Sequence, residues 1–175
     1  MSRGLRLIPI ILLLFVLSGL AWRLIKPADT AVPSQMVERP LPQFALPAAI
    51  EGKPGLVSAN LATGQPRLLN IFASWCIPCA SEGKVLQELQ RRGVKIDGIA
   101  VRDTPDALGA FLDRNGNPYE RIGSDRQSEV QIALGSSGVP ETFVIDGQGV
   151  IRRQYIGALN ASNIPGVLRE LEQVR

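Results

Sequence analysis

Arg67-Leu68-Leu69-Asn70-Ile71-Phe72-Ala73-Ser74-Trp75-Cys76-Ile77-Pro78-Cys79 is the stretch on which the fold turns. Arg67–Ala73 reads as a buried strand. Ala80–Arg92 carries Val85, Leu86 and Leu89 on one face and stops at Gly93, which reads as a helix. Both cysteines of the chain therefore stand where a strand gives way to a helix. Unsatisfied N–H groups and the positive end of the helix dipole favour thiolate over thiol there. Cysteines so placed titrate at roughly 3.5–7.5 instead of about 8.5. Cys79 follows three residues on, so it shares a helical face with Cys76 and lies within disulfide reach. Pro78 falls in the first turn, where a missing N–H costs little. Cys76 is thus the expected exposed, attacking thiolate, and Cys79 the thiol that resolves the mixed disulfide. Two blander readings compete. A structural disulfide over so short a loop would constrain the unfolded chain little. The other is half of a zinc site completed by a second chain.

Outward from this unit, strand and helix alternate. Val94–Val101 reads as a strand, and Thr104-Pro105-Asp106 as a helix start with capping hydroxyl, proline and first-turn acid. That helix carries Leu108, Phe111 and Leu112 and ends before Gly116. Tyr119–Ile122 is expected to be a short strand and Ser128–Leu134 a short helix ending at Gly135. Glu141–Ile145, the turn Asp146-Gly147-Gln148-Gly149 and Val150–Tyr155 form a predicted hairpin, and Ile164–Val174 a closing helix. The order implies an α/β domain with a mixed central sheet flanked by helices on both faces.

The 175 residues suffice for one domain and an appendage. With no histidine, the chain cannot be a Ser-His-Asp hydrolase, hold a His-ligated metal or carry the c-type haem attachment motif. Two cysteines cannot supply a four-thiolate zinc site. The net charge of +3 belongs to the amino terminus, where Arg3, Arg6, Arg23 and Lys26 meet no acid; the rest carries 15 basic and 16 acidic side chains. Nothing in that balance points to nucleic acid.

Leu7–Trp22 is an uncharged run of 16 residues. With Leu24 and Ile25, and with arginines snorkelling at its ends, it approaches the roughly 20 residues that cross a bilayer. Residues 1–26 are read as a membrane anchor. The alternative is a signal peptide cleaved before Trp22, after Gly19-Leu20-Ala21. Either way the domain is exported, and the basic end stays in the cytoplasm. Residues 27–47, with five prolines, read as an extended spacer. Phe44 and Leu46 suggest an edge strand where the spacer meets a domain spanning 48–175.

The strand–Trp-Cys-x-x-Cys–helix unit, with Val139-Pro140 ahead of a later strand, resembles thioredoxin-fold proteins. Further stretches narrow the likeness: Ala73-Ser74-Trp75-Cys76, Glu82, Gly116-Asn117-Pro118-Tyr119, Gly138-Val139-Pro140-Glu141-Thr142-Phe143-Val144-Ile145-Asp146 and Gly149-Val150-Ile151-Arg152. Together they are similar to the thiol:disulfide interchange proteins of cytochrome c biogenesis, the CcmG/DsbE group. The resemblance implies a thioredoxin-like fold and a protein-disulfide reductase with a redox-active Cys76–Cys79 disulfide and no cofactor. It implies a single-pass inner-membrane protein whose catalytic domain lies in the bacterial periplasm. Its expected partners are apocytochrome c, or a thiol protein of haem ligation, and an integral membrane thiol-reducing transporter.

The resemblance also assigns residues. Pro140 is expected to be cis and to set the backbone that pairs with an incoming cysteine peptide. Thioredoxins bury an aspartate six residues before the first cysteine; here Asn70 stands there and cannot take a proton. Glu82, one turn past Cys79, becomes the expected base that deprotonates Cys79. Glu141 would place negative charge beside the cysteine groove, and both acids would partly offset the helix dipole at Cys76. Trp75, Ile77, Pro78, Val139, Pro140 and Glu141 make up the expected substrate groove, with Trp75 read either as a partner contact or as a packed core indole. Two departures stand out. Gly83-Lys84 replaces the proline many relatives carry, and Ser136-Ser137 replaces the usual valine and aromatic residue. A general periplasmic reductase, or a soft-metal chaperone using the two sulfurs, are the rival functions.

Overall fold

The computed structural model describes residues 36–174, together with Leu12, Leu13, Phe15 and Ser18, which are helical. The rest of the expected anchor and the start of the spacer lie outside the described residues. Among those described, no helix is long and apolar enough to cross a membrane.

The central sheet has five strands in the order β5-β4-β3-β6-β7. These are β3 (Arg67–Phe72), β4 (Ile96–Val101), β5 (Ile122–Asp125), β6 (Glu141–Ile145) and β7 (Ile151–Ile156). The first three run parallel, while β6 is antiparallel to both β3 and β7. Every residue of β3, β4 and β6 is buried, as befits strands covered on both faces. A separate two-stranded ribbon pairs β1 (Ala45–Leu46) with β2 (Leu56–Val57). The helices are α1 (Ile77–Arg91), α2 (Pro105–Asn115), the short α3 (Glu129–Ala133) and α4 (Ile164–Gln173).

Strand alternation sorts these elements into layers. Leu68, Asn70 and Phe72 point to one face. There the Phe72 ring meets Phe111 of α2, Asn70 bonds to Glu82 of α1, and Tyr155, the β7 partner of Thr142, bonds to Glu170 of α4. Gly123 opens the other face to the β1–β2 ribbon: a Cβ there would come within 2.7 Å of the Leu46 Cβ. Asp125, also on that face, accepts N–H bonds from Glu129 and Gln131 and so starts α3. Helices therefore lie on both faces, the three longer ones together.

Three expectations shift. The short strand falls at Ile122–Asp125 and not at Tyr119–Ile122, because Tyr119 turns inward to stack on Phe72 with ring centroids 4.5 Å apart. Gly123-Ser124-Asp125 has turn-like composition, yet glycine is what the ribbon's approach requires. The strand suggested by Phe44 and Leu46 pairs with β2 and not along the sheet's edge, although Ala48 makes one bridge to Gly123. The proline-rich segment is also docked well before residue 48. Glu38 N–H donates to Ile151 O (2.7 Å), Leu41 N–H to Gly149 O (2.9 Å), and Leu41 is buried. Proline cannot donate, so such a segment pairs only at a sheet border.

Gly98 of β4 is the residue on which the site's placement depends. A Cβ there would stand 2.9 Å from Phe72 Cε1 and 3.0 Å from Tyr119 Cδ1. Gly98→Ala is expected to cost about 1–3 kcal/mol by overpacking and to displace Tyr119; chemical denaturation would measure it.

Candidate active site

Cys76 caps α1: it has extended backbone angles (φ −89°, ψ 107°), and its sulfur accepts the Cys79 N–H at 3.1 Å. The helix thus begins at Ile77, three residues earlier than its apolar periodicity indicates, because proline and cysteine occupy the first turn. Cys76 and Cys79 form a disulfide with an S–S distance of 2.05 Å and Cα atoms 5.3 Å apart. Both residues are buried, at 4% and 3% exposure, so in the oxidised state Cys76 is not the exposed member of the pair. Exposure passes instead to the flanking side chains: Trp75 is 57% and Ile77 85% exposed, and Pro78 is also open.

One turn past Cys79, Glu82 is buried at 1% exposure. Its Oε1 accepts from Asn70 Nδ2 and its Oε2 from the Leu159 N–H, each at 2.9 Å. Burial raises its pKa from an ordinary 4.5 to about 7, although both hydrogen bonds work to lower it. A carboxyl poised there takes and returns protons near neutrality. Asn70 is itself fully buried: Tyr119 Oη donates to its Oδ1 at 2.8 Å, and its Nδ2 also reaches Thr142 Oγ1 at 2.9 Å.

Glu141 has partners that the sequence does not name. Strand register places its side chain on the face opposite Asn70 and Glu82, and it is 1% exposed. Its Oε1 accepts from Ser137 N (2.8 Å), Ser137 Oγ (2.7 Å) and Gly138 N (3.1 Å), and its Oε2 from Gln154 Nε2 (2.5 Å). The carboxylate is a strut for the loop leading into Val139–Pro140, whose peptide bond is cis. Trp75 is no core indole: its Nε1 donates to Arg102 O at 3.3 Å. Asp103 accepts from both the main-chain N–H (2.6 Å) and hydroxyl (2.7 Å) of Ser74.

Trp75 and Val139 share an open groove of about 380 Å³ with Val101, Arg102, Ile132 and the 136–138 loop. Glu141 does not line it. Gln131 Nε2 and Ser136 Oγ both donate to Gly138 O, which ties the loop to α3. Sequence reasoning missed Tyr119, Thr142, Asp103 and the Leu159 amide as parts of the site. Asn70 carried a signal, since a polar residue amid seven of a buried strand needs a partner. Tyr119 and Thr142 stood within the stretches that carry the resemblance but with no role attached, and Asp103 and Leu159 gave no signal. Among the described residues, no cluster of three or more cysteines, acids or histidines could hold a metal ion.

A cysteine pair that closes a four-residue ring at a helix start, with a neutral-range carboxyl beneath it, can trade a dithiol for a disulfide. That is the chemistry of the thioredoxin-fold oxidoreductases, and comparison with known proteins agrees. The AhpC/TSA family model matches residues 37–154. The thiol:disulfide interchange protein DsbE of Pseudomonas fluorescens biotype C is 39% identical over 161 residues, covering 91% of this chain and 88% of the relative. DsbE of Escherichia coli K12 is 34% identical over 165 residues, covering 91% and 89%. Among solved structures, MTB dsbF shares the fold, with a TM-score of 0.64 at 21% identity over 80% of this chain and 98% of that one. The chain belongs to the DsbE family of thiol:disulfide interchange proteins, within the AhpC/TSA family, and catalyses dithiol–disulfide exchange.

Proposed function

We propose that this protein is a membrane-tethered periplasmic reductant that keeps apocytochrome c thiols, or those of a haem-ligation partner, reduced during cytochrome c maturation. Residues 1–26 serve as the anchor, and the proline-rich spacer carries the domain away from the bilayer. Cys76 thiolate attacks one sulfur of the substrate disulfide; that S–S bond breaks, a mixed disulfide forms, and the first substrate thiolate leaves and takes up a proton. The Cys79 thiol then passes its proton to the Glu82 carboxylate. The Cys79 thiolate attacks Cys76 Sγ, releasing the second substrate thiolate and leaving the Cys76–Cys79 disulfide. Two electrons have moved to the substrate. A membrane thiol-reducing transporter must return them before the next cycle.

The observation that carries this mechanism is Glu82, buried one turn beyond Cys79 with its pKa raised to about 7. The exposed Trp75, Ile77 and Pro78, with Val139, are the apolar surface that receives the partner chain, the cis Pro140 being itself buried, and the DsbE names of the relatives support the maturation pathway.

The test is capture in cells. Cys79→Ser cannot resolve its mixed disulfide and is expected to trap partners through Cys76, for identification by mass spectrometry. An apocytochrome or haem-ligation protein among them supports this reading. A spectrum of unrelated exported proteins would replace it with a general reductase.

A further inference from the structure

Among the described residues, a chain of buried polar bonds ends on Glu82. It begins at Tyr119, which enters from the segment between α2 and β5. Its ring is stacked on Phe72, and its hydroxyl reaches Asn70 Oδ1 at 2.8 Å. Tyr119 is 3% and Asn70 0% exposed, so no solvent competes for either group. The Asn70 amide has a determined orientation. Its nitrogen side faces Glu141 O at 3.4 Å, a main-chain oxygen that can only accept. The nitrogen must therefore lie on that side, which leaves Oδ1 toward the tyrosine and makes the phenol the donor. The other strong bonds of Nδ2 go to Thr142 Oγ1 and Glu82 Oε1, both at 2.9 Å.

We propose that Tyr119 is a positioning residue for the dithiol exchange: its hydroxyl pins the Asn70 carboxamide, which in turn aims an N–H at the Glu82 carboxylate. The proposal deepens the mechanism above and rests on Glu82 handling the Cys79 proton. Tyr119 touches neither sulfur nor substrate; it acts through Asn70. The bond it secures is stronger toward the charged carboxylate than toward the neutral acid, so the relay favours the ionised, proton-accepting form of Glu82 against the burial that disfavours it. The titratable groups around Glu82 are Tyr119 itself and, when reduced, the cysteine pair. The Tyr119 phenol is pushed well above its ordinary pKa by burial and by the nearby Glu82 charge, so it stays a neutral donor throughout the working range. The Leu159 N–H on Oε2 is independent of the relay.

Tyr119→Phe removes the hydroxyl and keeps the ring stack on Phe72, so the fold has reason to persist; a thermal melt checks it. Two measurements on the full-length chain test the role. The first is a carboxyl carbon NMR titration of Glu82. The second is the pH profile of single-turnover mixed-disulfide resolution by Cys79. In Tyr119→Phe the Glu82 midpoint is expected to rise by about 0.5–1 pH unit. Resolution on the acid side of that midpoint then slows about three- to ten-fold, the fall in ionised carboxylate, while the first attack by Cys76 is unchanged. A folded Tyr119→Phe protein with an unmoved Glu82 midpoint overturns the proposal, and Glu82→Gln still slowing resolution would leave the role of Glu82 intact. If Glu82→Gln does not slow resolution, that role fails and takes this proposal with it. The two failures differ because only the second leaves a shifted midpoint with no kinetic counterpart.

Discussion

Cys76→Ser is expected to reduce disulfide exchange to the uncatalysed background, and Cys79→Ser to allow one attack and then stop. The asymmetry follows from position, since the two residues are chemically identical. Cys76 is the cap of α1, and its sulfur already accepts the Cys79 N–H at 3.1 Å, so the charge it must carry as a thiolate meets a donor that is in place. A serine hydroxyl in the same cradle remains protonated and is a far weaker nucleophile. Cys79 sits inside the first turn with its N–H committed to Cys76, and it has Glu82 one turn further on to take its proton. Its removal therefore spares the first step and blocks the second. Stopped-flow reduction of a fluorescent disulfide, with acid quench and mass spectrometry, separates the two. A Cys76→Ser protein that still turned over, or a Cys79→Ser protein that released both substrate thiols, would refute the assignment.

The second large effect is on stability against pH. Glu82 holds its proton more tightly in the folded protein, at about 7, than in the unfolded chain, near 4.5. Its contribution is therefore complete below about pH 4.5 and is lost as pH rises through 7, amounting to about 3 kcal/mol across that window. Other groups overlay this trend. Asp97, raised by burial, works in the same direction. Asp146 is lowered by bonds from Val150 N–H, Arg152 and Gln148 N–H despite its burial, and it stabilises above its ordinary range. The difference between the wild-type protein and Glu82→Gln isolates the Glu82 part. The variant is expected to lose that dependence and to gain stability relative to wild type as pH rises from 4.5 to 8. The same variant is expected to slow resolution by Cys79 more than attack by Cys76. Guanidinium unfolding of the oxidised protein at each pH gives the first result. Parallel curves for the two proteins would mean that burial does not perturb this carboxyl.

The strand–cysteine–helix core was legible because its signals are local. A continuous apolar run, a proline in a first turn and a glycine stop each fix the nearby backbone whatever the rest of the chain does. Thr104 shows the same economy, since its Oγ1 accepts the Ala107 N–H at the start of α2 as its sequence context indicates. Pairings across the sheet were not legible in this way. Nothing in Gly123-Ser124-Asp125 announces a strand, because the reason for it lies in Leu46 and Leu56, far off in sequence. Glu141 was placed near the groove by its position after Pro140, but its partners were not legible. Register with Ile71 sets it on the sheet face that Val101 shares, where its carboxylate accepts from Ser137 and Gly138 of the groove's loop and from Gln154. Glu82 could be placed one turn from Cys79 by counting. The tyrosine and asparagine that hold it could not, since they come from β3 and from the segment before β5.

The docked segment from Glu38 to Leu41 has a consequence for the molecule's dealings with its neighbours. It occupies main-chain groups of Gly149 and Ile151 at the outermost margin of the sheet, just ahead of the consecutive Arg152 and Arg153. A bare margin of this kind invites strand-to-strand self-association in a crowded compartment. Here the chain's own lead-in segment covers the start of that margin, and the ion pair of its Glu38 with Arg152 helps to hold it there.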